Sequence, residues 1–413
     1  MNENASYKKI CQKIEVWGKG HGFEQFPEQS LILSRERLPF VVGSPLDLYL
    51  PKFTDGSAVT CPRALARQTC LRQLSLSALK GQVLQASLQP LYGIFSFQRV
   101  TLAEVFSALN ALLVETLGLS AEKLYVMYNS DNEAMAQANP WQALPYPLER
   151  LRCPLPIDEE AQYVKINAHY KEGIVPITNL CLICQEGACA QLDGVIYPER
   201  LQFILADEPH QYALPPYQVN ISLLSQYGMP YPTACAVSQH WRTLTYLRAT
   251  GVRPSAKKLG YILRKFEREA FNTFLFCEKA LKLVTALTEH TMTFDPLLRP
   301  WEGKVSAENI FAHFKAYQAQ TKKQLRQVKT GKILTYKEAL NLKATYGLYP
   351  EVYRAYLEAT GQDVTFVSWP KPVVETPQAP YHFALRDNNI TDPKQWAKIR
   401  QVTPLRKAWQ QPS

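Results

Sequence analysis

The stretch RALARQTCLRQLSLSALKGQVLQASLQPLYGIFSF, residues 63–97, predicts the central element of the fold. Its ends are apolar and its middle is polar, which is typical of two antiparallel strands joined by a long hairpin loop. Arg72 falls at the end of the first strand, and Tyr92–Phe97 form the second. A guanidinium held on a strand is a good bidentate partner for a phosphate or a carboxylate. On spacing alone, the commoner role of such an arginine is a surface salt bridge.

The composition is that of a globular protein with two or three domains. The chain has 413 residues, of which 46% are hydrophobic and 11% aromatic, enough to build sizeable cores. Lys and Arg outnumber Asp and Glu by 46 to 36, so the net charge of +10 mildly favours a polyanionic partner. Residues 1–9 lack an apolar signal region, and no apolar run approaches a membrane span. These features predict a soluble cytoplasmic protein with no membrane partner.

The nine cysteines are odd in number and follow no secretory signal, which favours a reducing compartment. Cys181, Cys184 and Cys189 suggest a zinc site. A closed site needs a fourth ligand, and the available His169 and His210 do not have zinc-finger spacing. The sequence therefore predicts no metal site.

The hairpin resembles a known family. RALARQTCLR followed by LYGIFSF is similar to motif 2 of the alanyl-tRNA synthetases, class II enzymes in which a hairpin arginine holds the ATP α-phosphate and the amino-acid carboxylate. This resemblance implies that role for Arg72. The predicted helix Tyr7–Trp17, the glycine turn after it and a strand at Ser30–Leu33 resemble the family's opening, and Phe40–Gly56 loosely resembles motif 1.

The next predicted elements continue the same domain. Thr101–Leu117 is a predicted amphipathic helix, with a capping box formed by Thr101 and Glu104 and a C-terminal stop at Gly118. Leu124–Tyr128 is a predicted strand. The stretch LGLSAEKLYVMYNSDNEA resembles a family stretch that ends in Tyr-x-Ser-Asp-x-Glu-Ala.

Two acidic residues follow that strand, and further apolar stretches come after them. Asp131 and Glu133 are interpreted as helix-capping groups rather than as an acid/base pair, because they lie where a strand passes into a helix. Further strands of one mostly antiparallel sheet are predicted at Val164–Ile177, Leu192–Ile196 and Leu201–Leu205.

Val219–Thr233 is the segment expected to hold motif 3, where the family has an Asp and then Gly-Met-Gly-Leu-Glu-Arg. In this alignment Gln226 replaces the Asp that holds the substrate ammonium, and Thr233 replaces the Arg that clamps the γ-phosphate. On the hairpin, Gln89 replaces the Phe that stacks on adenine, and Pro90 replaces the neighbouring Glu. Two prolines in the motif 3 segment also oppose its expected helix.

In this alignment only Arg72 is retained among the family's nucleotide contacts. One lost donor commonly costs on the order of 10² to 10³ in rate. The sequence therefore predicts a degenerate ATP and amino-acid site in a non-catalytic or repurposed protein that binds tRNA or an adenylate-like ligand. The alternative is an active ligase that uses ATP with Mg²⁺ to activate alanine or another small carboxylic acid. A protein-interaction scaffold is a third possibility.

The C-terminal part reads as long helices, and one of them has a basic face. PSAKKLGYILRKFEREAF resembles the family signature Pro-Ser-Asn-x-x-Arg-Gly-Tyr-Val-Leu-Arg-Arg, which lies in the domain that grips the tRNA acceptor stem. Ala256 and Ala344 replace the Asn and Asp that read the G·U pair of tRNA for alanine, which implies RNA binding with lost or changed specificity. The predicted RNA-binding residues are Lys257, Lys258, Arg264, Lys265 and Arg268.

Together these features predict an α+β protein. The class II antiparallel-sheet domain is expected over residues 1–237, and an α-helical tRNA acceptor-binding domain over residues 238–366. Residues 367–413 read as a Pro-rich basic tail. The resemblance stops short of the family's editing domain.

Overall fold

The computed structural model describes most of the chain up to residue 327. The described residues are 6–31, 41–54, 61–80, 83–129, 132–146, 161–171, 173–277, 279–301, 307–327 and separate residues between 338 and 360. They fall into two compact units. The sheet unit contains residues 6–74 and 83–214, and the helical unit contains residues 75–80 and 215–360.

The boundary between the units lies between Leu214 and Pro215. The sequence placed it after residue 237. The difference arises because residues 215–226 form a helix that packs with the later helices rather than with the sheet.

In its described residues, the sheet unit alternates eight strands with mostly short helices. In chain order the elements up to the second long strand are α1 (Tyr7–Gly20), β1 (Glu24–Phe26), α2 (Leu46–Tyr49), α3 (Pro51–Thr54), β2 (Arg63–Leu71), α4 (Leu76–Leu79), which belongs to the helical unit, and β3 (Leu88–Thr101). The remaining ones are α5 (Leu102–Asn110), β4 (Leu124–Asn129), α6 (Glu133–Ala138), β5 (Gln142–Tyr146), β6 (Ala161–Tyr170), β7 (Gly173–Glu186), β8 (Cys189–Ile196) and α7 (Pro198–Leu205).

All eight strands form one sheet in the order β1-β2-β3-β8-β7-β6-β4-β5. The pairs β1/β2 and β4/β5 are parallel, and the other five pairs are antiparallel. The predicted hairpin is confirmed as β2 and β3, whose register runs from Arg63 opposite Ser96 to Leu71 opposite Leu88. The predicted α+β class is confirmed by this sheet and its helices.

Helices pack against both faces of the sheet, and on one of them Tyr49 of α2 and Phe53 of α3 contact Phe95. Leu65 and Tyr92 point toward α1, where a Cβ added to Gly18 would meet Leu65 and where Tyr92 donates a hydrogen bond to Glu15. We call this side the helix face. Because side chains alternate along a strand, the neighbours of these residues lie on the opposite side, which we call the site face.

Several local predictions are confirmed. Tyr7–Trp17 lies within α1, and Leu124–Tyr128 lies within β4. Thr101 accepts a hydrogen bond from the Glu104 N–H, and the Glu104 carboxylate accepts one from the Thr101 N–H, so the capping box is complete. Gly118 follows with φ of +79°, a conformation that favours glycine.

Other local predictions are wrong. Leu201–Leu205 is helix α7 rather than a strand, because Pro198 at the first helical position opens a helix directly after β8. Val164–Ile177 is not one strand, since a turn at Lys171 divides it between β6 and β7. The described strand after the glycine turn is Glu24–Phe26, and of the predicted Ser30–Leu33 only Ser30 and Leu31, which lie outside a strand, are described.

Two further interpretations concern segments that are described only in part. The described residues 41–54 of Phe40–Gly56 form α2 and α3. Asp131 lies outside the described residues. Glu133 begins α6, and Asn132 caps this helix by accepting a hydrogen bond from the Met135 N–H.

The helical unit is built from long helices around an aromatic core. Trp241, Phe271, Phe274 and Phe314 contact one another with ring centroids 5.1 to 6.0 Å apart. Besides α4, the long helices described in this unit are α8 (Pro215–Gln226), α9 (Tyr231–Ala249), α10 (Lys258–Asn272), α11 (Ala280–Phe294) and α12 (Ala307–Gln327).

Candidate functional site

Arg72 lies directly after β2, where its N–H donates a 2.7 Å hydrogen bond to the Ser87 carbonyl oxygen on the other side of the hairpin. Its side chain is exposed. Among the described residues, its guanidinium has neither a hydrogen bond nor an ion pair. The hairpin therefore presents an exposed cation, on a backbone held by a hydrogen bond, that is available to an external anion.

Gln89 lies on β3 opposite Cys70, on the site face of the sheet and diagonally across from Arg72. Only 3% of Gln89 is exposed, and its Oε1 has no hydrogen-bond partner in the described part of the chain. A carboxamide has no aromatic face on which a base could stack. The position that the resemblance assigned to an adenine-stacking Phe therefore offers hydrogen bonds instead.

Three adjacent strands bring polar side chains to the middle of the site face. Asn179 on β7 pairs with Val195 on β8 and with Lys165 on β6. Asp193, two residues before Val195, therefore points to the same side as Asn179. All three polar side chains are half-buried. The Asn179 Nδ2 donates a 2.9 Å hydrogen bond to the Tyr197 hydroxyl, and its Oδ1 has no partner within the described residues.

The motif 3 segment does not lie on the sheet. Gln226 ends α8, and Thr233 lies in the first turn of α9, both in the helical unit. The described Val219–Thr233 contains no strand, because Gly228 at φ of +77° ends one helix and Pro230 precedes the next. The alignment that matched Gln226 and Thr233 to motif 3 therefore falls on two helices of the helical unit.

A strand followed by a helix does occur on the sheet, at β8 and α7. Asp193 and Gly194 lie within β8, and Glu199 and Arg200 lie in the first turn of α7. This is the order of Asp, Gly and then Glu-Arg that was sought near Gln226. The signal was present in the sequence as an Asp-Gly pair in an apolar strand, followed by Pro-Glu-Arg. The sequence analysis does not identify it, because it predicts a strand at Leu201–Leu205.

Arg200 is only 4% exposed and already has protein partners. Its two Nη atoms donate to the carbonyl oxygens of Pro176 and Leu84, at 2.8 and 3.0 Å. Its guanidinium also lies 3.9 Å from the centroid of the Tyr197 ring. In this arrangement Arg200 holds the segment before β3 against β7, and the exposed Arg72 is the better placed cation for a ligand.

The predicted RNA-binding residues lie at and after the start of α10. Gly260 lets the loop before the helix approach closely, since a Cβ there would lie 2.2 Å from the Ser255 Oγ. The helix buries Ile262, Leu263 and Phe266, and Tyr261 on the other side is 50% exposed. Of the predicted residues Lys257, Lys258 and Arg264 are exposed, and Lys265 and Arg268 are half-buried.

The structure thus brings the predicted basic residues together around an exposed aromatic ring. Helical spacing places Lys258, Tyr261, Lys265 and Arg268 on one side of α10, with Arg264 beside them. Ala256 and Ala344, which the resemblance aligns with the readers of the G·U pair, are both exposed in the helical unit.

Segment 75–80, which comes shortly after Arg72 in the chain, is anchored within the helical unit. The Leu76 N–H donates a 2.7 Å hydrogen bond to Oε2 of Glu269 on α10. Ser75 caps the short helix α4, and Leu79 is completely buried. Segment 75–80 is therefore fastened to the helix that carries the basic residues.

The three cysteines of the CxxC region lie on the β7–β8 hairpin. Cys181 is buried in β7, whereas Cys184 and Cys189 are half-buried. Cys184 has φ of +51°, at an irregularity of the β7/β8 pairing. Nowhere in the described part of the chain do three or more His, Cys, Asp or Glu side chains gather as possible metal ligands.

The comparisons with known proteins assign this chain to no family. No protein-family model matches the chain, and no curated protein matches it significantly. None of the described helices is both long enough and apolar enough to cross a membrane.

Proposed function

We propose that this α+β protein is an alanyl-tRNA synthetase-like protein. It binds an amino acid or an adenylate-like ligand on the site face of its sheet, and an RNA acceptor stem on α10. The observation that carries the ligand proposal is the set of polar groups on that face. Arg72 is an unpaired cation in the described chain, while Asn179 and Asp193 come from adjacent strands.

These groups offer opposite charges at two separate points of the sheet to an elongated ligand. Arg72 suits a phosphate or carboxylate, and the Asp193 carboxylate suits an ammonium group. Gly93 lies between the two regions, four residues from Gln89 on β3 and two strands from Asn179, and the Phe95 ring and Pro45 pack against it. With about 3.3 Å per residue and 4.8 Å per strand, Gln89 and Asn179 are roughly 16 Å apart. This separation favours an elongated ligand.

The RNA proposal rests on α10. Its solvent side combines several cations with the half-exposed Tyr261 ring. Cations neutralise phosphates and release counterions, and an exposed aromatic ring offers a stacking surface for an unpaired base. Because Ala256 and Ala344 make no base-edge hydrogen bond, the binding is expected to depend on charge more than on sequence.

The second candidate function is an active ligase that forms an adenylate. Asp193 favours it, because the loss of the ammonium acceptor was inferred from Gln226, which lies off the sheet. Gln89 and Pro90 still differ from the Phe and Glu that the family has at the aligned positions. Arg72 would hold the ATP phosphates.

The binding test is calorimetry with a non-hydrolysable alanyl-adenylate analogue. Asp193→Asn and Arg72→Ala should each weaken binding about 10- to 100-fold, because each removes a charge-assisted hydrogen bond. Arg99→Ala is the matched control, since Arg99 is an exposed hairpin arginine that pairs with Glu186. Failure of the wild-type protein to bind the analogue would refute the ligand proposal and favour a protein scaffold.

ATP–pyrophosphate exchange with each amino acid separates the two candidate functions. Exchange that depends on one amino acid and disappears in Asp193→Asn would establish the ligase. Binding of the analogue without exchange would establish the non-catalytic protein.

A further inference from the structure

Helix α12 carries a second basic surface that is separate from α10. Lys315, Lys322, Lys323 and Arg326 are all exposed. After Glu308, the helix contains no acidic residue as far as Gln327. The positive charge is therefore not offset by acids along the last five turns of the helix.

Packing within the helical unit fixes which side of α12 faces outward. Ile310, Phe314 and Leu325 are buried. The Tyr317 hydroxyl donates a 2.7 Å hydrogen bond to Oδ1 of Asn272, and the Gln318 side chain donates to the Leu275 carbonyl oxygen. The helix is thus held by several contacts, and its basic side chains keep a defined direction.

The cations form a narrow stripe. At 100° per residue, Lys315, Lys322 and Arg326 lie within about 40° of one another around the helix axis, and Lys323 lies beside them. Along the axis, they are separated by about 10 Å and then about 6 Å. Ala319, which is exposed, lies between them and leaves room for a close approach.

The chemistry of this stripe favours a nucleic acid over other partners. Protein interfaces depend on apolar or aromatic anchors, and amphipathic membrane helices need an exposed apolar face. The exposed large hydrophobic residues of the described chain are Val16, Tyr227, Tyr261 and Phe294, none of which lies on α12. Nucleic-acid interfaces, in contrast, are polar and strongly positive.

We infer that the α12 stripe, formed by Lys315, Lys322, Lys323 and Arg326, binds the phosphate backbone of RNA. It makes a sequence-independent contact in addition to that of α10, and it rests on the RNA part of the proposed function. The stripe has no exposed aromatic ring, so it contacts backbone only. It therefore increases affinity and salt dependence without selecting a sequence.

The test is fluorescence anisotropy with an unmodified tRNA transcript at 50, 100 and 200 mM NaCl. The α12 variant is Lys322→Ala with Arg326→Ala, and the α10 variant is Arg264→Ala with Lys257→Ala. The control is Lys8→Ala with Lys19→Ala, which removes the same charge from two exposed residues of α1.

The α12 variant should bind more weakly, and the slope of log Kobs against log salt should become shallower by about 1.8, or about 0.9 per lost phosphate contact. The loss should be equal for two transcripts that differ in their acceptor-stem pairs, and the control should match the wild type. If the α10 variant is weakened but the α12 variant binds as the wild type does, the α12 inference is wrong and the proposed function stands. If the wild type binds no RNA at 50 mM NaCl, both are wrong.

Discussion

His240 and Glu269 share a hydrogen bond of 3.1 Å between Nε2 and Oε2, although the histidine side chain is completely buried. The same Oε2 accepts the hydrogen bond from the Leu76 N–H. Burial tends to raise the pKa of Glu269, but the hydrogen bonds from His240 and Leu76 outweigh it and lower this pKa below its usual value. One carboxylate therefore joins α9, α10 and the segment that holds α4.

The first prediction is that Glu269→Gln loosens segment 75–80. Because its folded-state pKa is lowered, the carboxylate contributes stability above about pH 4.3, and this contribution is lost as the pH falls through the folded-state pKa. At pH 7, hydrogen exchange of the Leu76–Leu79 amides should be faster in the variant. Glu289→Gln, on an exposed site of α11, is the control. Unchanged exchange at Leu76 would contradict the assigned role.

The second prediction concerns acid sensitivity at His210, which is only 4% exposed. Burial lowers its pKa to about 4. The unfolded chain takes up a proton near pH 6.5, whereas the folded protein resists it until about pH 4, so stability falls as the pH decreases between these values. The loss should approach roughly 3 kcal/mol at pH 4.

The measurement for His210 is urea unfolding at pH 7 and pH 5. His210→Gln removes the titrating group, so the variant should lose about 2 kcal/mol less than the wild type between these two values. The buried His240 titrates in the same direction and remains in both proteins. Equal pH dependence in the two proteins would show that His210 does not contribute.

The third prediction concerns a buried ion pair in the helical unit. Arg242 and Asp295 are both inaccessible, and the Nε and Nη2 atoms donate to the carboxylate at 2.6 and 3.2 Å. Arg242 also donates to the Tyr217 hydroxyl. Asp295→Ala leaves a buried cation without its counterion and should cost about 3 to 5 kcal/mol of unfolding free energy.

Chemical denaturation measures the effect of Asp295→Ala. The double change of Arg242→Met with Asp295→Leu replaces both charges by apolar groups and should recover much of the loss. A double variant that is as unstable as Asp295→Ala would show that packing, rather than the unpaired charge, dominates.

The fourth prediction concerns RNA specificity. Since Ala256 and Ala344 present only methyl groups, tRNA for alanine and a transcript with its G·U pair changed should bind within about threefold of each other. A good base contact, in contrast, is worth about 1 to 3 kcal/mol. The check is a pair of binding titrations at one salt concentration. A strong preference of the wild type for the G·U transcript would refute the prediction that this protein does not recognise the G·U pair.

The sequence by itself predicted the helices, helix caps and hairpin that depend on residues close together in the chain. The β2–β3 hairpin, the capping box of Thr101 and Glu104, and the apolar spacing of α1 were predicted because periodicity and capping depend on residues a few positions apart. The basic side of α10 followed from the same kind of spacing. Composition and hydrophobic pattern also sufficed for the α+β class.

Only the tertiary structure decided which distant residues meet. Asn179 and Asp193 lie beside each other because β7 pairs with β8, and a register shift of one residue would have turned one of them to the helix face. The sequence-based alignment selected Gln226 and Thr233 instead, which the fold places in the helical unit. Likewise, Arg200 donates hydrogen bonds to carbonyl groups of two segments that are distant from it in sequence. The sequence alone therefore does not show that its guanidinium already has protein partners. Strand pairing and burial are long-range properties, and local sequence patterns do not encode them.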